Sequence, residues 1–142
     1  MNIDSIKNGI VIDHITAGKA MEIYKLLKLD ATSHPVAMIM NVSSSKMGKK
    51  DIIKIDALID IDMDILGYVD PGVTVNIIKD EKLADKCFPK LPETLTNIIV
   101  CKNPRCITTT EQELPNIFRL TDRNNKVYRC VYCEQKAQSK KS

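Results

Sequence analysis

At 142 residues the chain is one ordinary domain or two small ones joined by a linker. Hydrophobic residues make 44% and charged residues 27%, enough for a packed core and against wholesale disorder. Aromatic residues are only 4%, with no Trp, too few to build a stacking surface for single-stranded nucleic acid.

No apolar run approaches the roughly 18 residues of a membrane span. The opening residues Met1-Asn2-Ile3-Asp4 lack the basic and apolar blocks of a signal peptide, so the expected location is cytoplasmic. Charge divides unevenly. Residues 1–92 carry net −1 and residues 93–142 net +4.

The first ninety residues alternate between strand and helix patterns. Gly9 to Ile15 is β-branched and apolar, a buried strand that delivers Asp13 and His14 at its tip. Ala20, Ile23, Leu26 and Leu27 recur at helical spacing, with Lys25 and Lys28 off that face. Val36 to Val42 predicts a second strand and Ser43 to Gly48 a flexible loop.

Asp51 to Ile55 predicts a third strand, with Lys54 facing opposite to Ile53 and Ile55. Ala57 to Gly67 predicts an acidic helix, stopped by Gly67 and by Asp70-Pro71-Gly72. Val73 to Ile78 predicts a fourth strand containing Asn76, and a short element with Leu83 and Lys86 follows. Strand-helix-strand twice over is the order of a ferredoxin-like α/β sandwich.

Pro89-Lys90-Leu91-Pro92 blocks both helix and central strand and reads as a short stiff linker. We therefore expect one domain over residues 1–91 and a second over 92–142, an α+β chain overall. The second reads as a small all-β, zinc-ribbon-like domain. Its expected strands are Asn97 to Cys101, Ile117 to Thr121 and Lys126 to Cys130, with Asp122-Arg123-Asn124-Asn125 as a hairpin turn.

Cys101-x₄-Cys106, a gap of 23 residues, then Cys130-x₂-Cys133 is the strongest signal in the chain. Two cysteine pairs, each expected on a knuckle after a strand, converge into a tetrahedron around Zn²⁺. Four thiolates leave no open position, so such a site is structural. A disulfide or a redox role for Cys-Val-Tyr-Cys is the alternative, though redox chemistry needs no second pair. With zinc bound, the C-terminal charge falls to about +2, too weak a field to argue for nucleic acid. Cys87, beside Phe88, reads as a small buried hydrophobe.

Asp13 and His14 are open to reading as a ligand pair, an acid–base pair or a structural cap. Lys49, Lys50, Lys54 and Lys86 are by default solvated surface, and His34 is placed at the surface. Their shared setting, strand ends bearing lysines, Asp13, His14 and Asn76, suits a nucleotide. Neither a P-loop nor a Gly-x-Gly-x-x-Gly motif occurs.

Gly9-x-Val11-Ile12-Asp13-His14-Ile15, Met47-Gly48-Lys49-Lys50-Asp51-x-Ile53-Lys54-Ile55 and Thr74-Val75-Asn76 occur in this order. Leu91-Pro92-Glu93, Val100-Cys101-x-Asn103-x-x-Cys106-Ile107 and Cys130-x-Tyr132-Cys133-Glu134 follow. Together they resemble the regulatory chain of aspartate carbamoyltransferase over essentially the whole length. The resemblance implies a non-catalytic subunit of pyrimidine biosynthesis with an N-terminal allosteric domain that binds CTP or ATP competitively. It further implies one structural Zn²⁺ in a C-terminal domain that docks on catalytic chains, with regulatory self-dimers bridging two catalytic trimers.

By match, the nucleotide site takes His14 and Lys86 nearest phosphate, with Asp13 and Lys54 nearest ribose and base. Lys50 matches a second phosphate contact; Ile6, Val11, Asn76 and Ile78 match pocket-lining positions. Ile3, Asp4 and Ser5 match an N-terminal contact strand. Where the family often places a Tyr near the base, this chain carries Glu81. The segment Asp56 to Asp70 is acidic and follows the family only loosely.

The competing readings are a nucleic-acid-binding zinc ribbon and a thiol oxidoreductase. The first is suggested by Arg119, Arg123, Lys126 and Arg129, which could equally meet an acidic protein surface. The expectation is no nucleic-acid partner, no membrane and no catalysis by the chain itself, which shows no activated nucleophile and no open metal position.

Overall fold

The computed structural model describes residues 6–111 and 113–137. The chain divides into two compact units, residues 1–90 and 91–142. Ile3, Asp4 and Ser5 lie outside the described residues.

In the N-terminal unit the elements run β1 (Gly9–Thr16), α1 (Ala20–Leu26), β2 (Val36–Ser44), β3 (Gly48–Ile55), α2 (Met63–Val69), β4 (Thr74–Lys79) and β5 (Lys82–Cys87). A 3₁₀ turn at Leu29–Ala31 follows α1. The strands form one sheet in the order β2-β3-β1-β4-β5, every neighbouring pair antiparallel.

Strand alternation splits that sheet into two unlike faces. Ile10 and Ile12 lie opposite Ile55 and Ile53 on one side and Ile77 and Val75 on the other. Ile12, Ile53 and Ile55 are fully buried, as is Ile23 of α1, so this face forms the core with the helices. The other face takes Val11, Lys54 and Asn76, half-buried, and the exposed Lys86.

Three expectations are corrected here. The first helix ends at Leu26, because Lys28 enters the left-handed region at φ 56°. The second starts at Met63, not Ala57. Asp62 is its N-cap, the side-chain oxygen accepting from the Asp64 and Ile65 amides at 3.0 and 3.4 Å. The loop expected over Ser43 to Gly48 shortens to a hairpin turn, because β2 and β3 pair as far as Ser44 and Gly48. The element with Leu83 and Lys86 is the fifth strand, at the sheet edge.

Gly67 does not stop α2; it lies inside it, and the helix ends at Val69. A Cβ at Gly67 would fall 1.8 Å from the Lys90 carbonyl oxygen, so the position demands the absence of a side chain. Gly67→Ala should therefore destabilise the N-terminal unit by about 1–3 kcal/mol, as overpacking does, although Ala is the better helix former. Thermal unfolding checks this; a variant that melts at or above the parent temperature contradicts the close approach.

The C-terminal unit contains β6 (Thr94–Thr96), α3 (Ile107–Thr110), β7 (Ile117–Asp122) and β8 (Val127–Cys130), the strands forming a sheet in that order. Leu95, Phe118 and Tyr128 are buried on its inner face, and the Tyr128 hydroxyl donates to the Pro92 carbonyl. The expected all-β character is corrected by the single turn α3. The first strand is not Asn97–Cys101 but Thr94–Thr96. Asn97 turns the chain at φ 57°, and its side-chain oxygen accepts from the Asn116 amide at 2.9 Å. Cys87 is half-buried rather than buried, its thiol 3.7 Å from the Asp85 carboxylate on the edge strand.

Candidate functional sites

Two sites emerge, one in each unit. In the C-terminal unit Cys101, Cys106, Cys130 and Cys133 bring their sulfurs within 4.8 Å of one another. Cys101 and Cys133 stand 3.6 Å apart, and Cys106 and Cys130 3.7 Å, so each close contact joins one cysteine from each pair. A tetrahedral zinc with Zn–S of about 2.3 Å has S···S edges of about 3.8 Å. The thiols are unbonded to one another, at distances well beyond a disulfide. The donor set fits Zn²⁺.

The surroundings divide the four sulfurs, favouring the charged form at Cys106 and Cys133 and opposing it at Cys101 and Cys130. The Thr108 hydroxyl, 3.1 Å from Cys106 Sγ, pulls that thiol down to about 7. Burial pushes Cys101 up to about 12 in spite of the Asn103 amide. Burial likewise raises Cys130, although the amides of Cys133 and Tyr132 oppose it. For Cys133 burial is outweighed by the Gln135 amide and the Asn103 side chain, and the thiol is lowered. With Zn²⁺ bound the four cysteines would be held as thiolates, and the amides beside Cys130 and Cys133 would orient them through charge-assisted bonds.

Only the second cysteine pair directly follows a strand, at the end of β8. The first sits on a loop held by Asn116, whose side-chain oxygen accepts from the Cys101 amide at 3.1 Å. Asn116 and Thr108 were not legible as site residues; an Asn in a loop and a Thr after a Cys are both common.

In the N-terminal unit the register builds a row across four strands on the helix-free face. Lys54 of β3 lies opposite Val11 of β1, Val11 opposite Asn76 of β4, and Asn76 opposite Lys86 of β5. One step along β1, Asp13 lies opposite Thr74. Ile78, opposite Gly9, extends the face the other way, and Ile6 is buried against Gly9.

Asp13 is engaged. Lys50 Nζ lies 3.0 Å from its Oδ1, and the His14 amide donates to the same oxygen at 2.6 Å. Burial pushes the Asp13 carboxyl up, but the Lys50 ammonium, the His14 amide and the His14 charge outweigh it and hold it below 3.8. A depressed carboxyl adds stability above its ordinary value and loses it as the pH falls through the lowered one. His14 takes φ 60° at a bulge between β1 and β3, and its Nδ1 lies 3.3 Å from Thr74 Oγ1. Sequence reasoning missed Thr74 in this role.

Residues 1–90 match the family model of the aspartate carbamoyltransferase regulatory chain, allosteric domain, and residues 93–142 that of its metal binding domain. The chain belongs to the aspartate carbamoyltransferase regulatory chain family. The regulatory chain of Clostridium botulinum is 51% identical over 135 residues, covering 95% of this chain and 92% of that one. That of Clostridium acetobutylicum is 50% identical over 135 residues, with the same coverage. In Bifidobacterium longum the regulatory chain is 42% identical over 137 residues, covering 96% and 99%.

Membership makes this a regulatory, non-catalytic chain of pyrimidine biosynthesis with one zinc at the four cysteines. Among the described residues no helix is long and apolar enough to cross a membrane.

Proposed function

We propose that residues 1–91 form an allosteric domain binding CTP and ATP competitively on the helix-free sheet face. Residues 92–142 form the zinc domain that docks on catalytic chains, and regulatory dimers bridge two catalytic trimers in the cytoplasm. The observation that carries the nucleotide reading is the cross-strand row Lys54–Val11–Asn76–Lys86, with Asp13 and His14 beside it.

Each group answers a part of a nucleoside triphosphate. Lys86 supplies positive charge and His14 a ring N–H donor for phosphate oxygens. The Asp13 carboxylate accepts from ribose hydroxyls, and Lys50, already beside it, adds a second phosphate contact. Lys54 and Asn76 flank Val11 and offer donors to ribose and base; Ile78 and Ile6 supply apolar contact. Glu81, in the β4–β5 turn at φ 65°, places a carboxylate where the family often has an aromatic ring. The same unit is assigned to the ferredoxin-like class, supported by the β2-β3-β1-β4 order of its first four strands.

Calorimetric titration of the chain with CTP and ATP tests this, with aspartate saturation curves of the reconstituted enzyme reading the coupling. Both nucleotides should bind at one site per chain and displace each other. Absence of binding to a zinc-loaded chain sinks the proposal.

Lys86→Ala should weaken CTP and ATP alike, because an ammonium on phosphate does not distinguish bases. Loss of one charge-assisted contact costs roughly 1.5–3 kcal/mol, about 10- to 150-fold in affinity. Lys54→Ala should instead change the CTP/ATP ratio, being nearer the base. Equal binding of both nucleotides by Lys86→Ala and the parent chain would misplace the phosphate site.

A further inference from the structure

The outer face of the C-terminal sheet carries an arrangement that neither the zinc nor the nucleotide uses. Arg119 of β7 lies directly opposite Arg129 of β8, and Arg129 forms a bridge with Lys136 on its other side. Three cations thus stand in one row across the sheet. Like charges directly opposite in a sheet are destabilising, so the row is unfavourable in isolation.

Among the described residues neither Arg119 nor Arg129 forms an ion pair. Glu93 stands 3.9 Å from Arg123 instead, and Asp122, at the hairpin itself, is held by the Asn125 amide and side chain, with Lys136 as a more distant charge. The Arg129 side chain donates to the Glu134 carbonyl at 3.0 Å. The row borders two clefts that share Arg119 and Thr121. One, of about 400 Å³, is lined also by Arg129, Cys130, Val131 and Glu134. The other, of about 340 Å³, is lined also by Glu93, Thr94, Leu120 and Arg123. Val131, 44% exposed, gives the first cleft an apolar wall ending at the zinc knuckle.

We propose that the row Arg119–Arg129–Lys136 is the electrostatic part of the catalytic-chain docking surface and receives an acidic segment of that chain. The proposal rests on the docking role given above to this domain and adds the residues and the chemistry of the partner. Guanidiniums take carboxylates in a planar two-bond fork, and a row of them along a sheet accepts carboxylates spaced along an extended strand or helix turn. A protein partner is favoured over nucleic acid on two counts. The domain's charge with zinc is only about +2, a weak field for a polyphosphate backbone. Tyr132, 38% exposed, is the sole exposed aromatic ring of this unit among the described residues, so bases have no stacking platform.

The test uses the full chain and its cognate catalytic trimers, with assembly measured by sedimentation from low to high salt. Arg119→Glu/Arg129→Glu should weaken assembly at least about 30-fold and flatten its salt dependence. Zinc content and CTP affinity of the variant show that both units remain folded. Should the double charge reversal disturb folding, Arg119→Gln alone, at an exposed position, should still weaken assembly and its salt dependence in the same direction. Parent chain that fails to join trimers overturns the docking role itself. Variants that assemble like the parent, with the same salt dependence, overturn the arginine row and leave the docking role standing. Salt-sensitive binding of duplex DNA by the parent, lost in the double variant while assembly is kept, assigns the row to nucleic acid and also overturns the proposal.

Discussion

A chain carrying Cys130→Ser should bind CTP as the parent does and yet fail to join catalytic trimers. Cys130 Sγ lies 3.7 Å from Cys106 Sγ, inside the cluster where all four sulfurs fall within 4.8 Å. A serine hydroxyl is a poor zinc ligand at neutral pH, so the tetrahedron loses a corner. The C-terminal unit has few alternatives to its metal. Its buried apolar side chains are Leu95, Phe118 and Tyr128 beside three of the cysteines, a small core for some fifty residues. Structural zinc supplies on the order of 10 kcal/mol of folding free energy in such units, more than that core has to spare.

The N-terminal unit is compact in its own right, and its sheet holds every described residue of the proposed nucleotide site except Ile6, which lies just before β1. Zinc analysis, circular dichroism and calorimetry with CTP separate the two outcomes. Trimers mixed with the variant should remain active and ignore CTP and ATP. Assembly into an effector-responsive enzyme by a zinc-free variant would sink the structural role of the metal. Loss of CTP binding along with zinc would show that the units fold together.

What could be read beforehand follows from how local the determinants are. β1, β3 and β4 are legible because they are short β-branched apolar runs, whereas the cross-strand row needed their register and the edge strand β5 that carries Lys86. The cysteine spacing announced the metal without any fold. The start of α2 was not legible. Ala57-Leu58-Ile59 is apolar and leads without a break into the Asp60, Asp62 and Asp64 stretch, so composition marks no boundary, while the decisive event is capping by the Asp62 side chain. Ile98-Ile99-Val100 has the composition of a strand, yet it sits outside the sheet. The Asn97–Asn116 contacts and the need to bring Cys101 to the cluster override β-propensity. Asp51 is the deepest omission: at the start of a predicted strand and beside Lys49 and Lys50, nothing in the sequence marks it as fully buried.

Asp51→Ala should cost the N-terminal unit roughly 3–6 kcal/mol, the largest loss expected of any single change in that unit. Asp51 is fully buried on the core side of β3, opposite Ile15. Its Oδ2 accepts from the Gly18 amide at 2.9 Å and the Ala20 amide at 3.4 Å, and its Oδ1 from the Asn41 amide at 3.0 Å. One carboxylate thus serves the start of α1, which has no capping side chain of its own, and the irregularity in β2 where Asn41 takes φ 61°. Alanine strips all three donors of their acceptor, at about 1–3 kcal/mol each when no water replaces it.

Against a total stability of about 5–15 kcal/mol this is a large fraction, and Tm should fall by ~15 °C or more. Asp51→Asn keeps one acceptor oxygen but turns an amide donor toward backbone N–H groups, so it should fall between alanine and the parent. Thermal unfolding by circular dichroism reads the effect, with zinc release followed separately to identify the C-terminal unit. The comparison with Lys86→Ala distinguishes scaffold from ligand contact: that variant should lose nucleotide affinity at unchanged Tm. Asp51→Ala, measured well below its melting point, should keep most of its affinity, because Asp51 lies on the opposite face from the row and touches no nominated contact. An Asp51→Ala chain that melts like the parent would mean that water or a neighbouring group satisfies the three amides. One that stays folded but loses CTP would place Asp51, through its neighbour Lys50, among the residues that position Asp13.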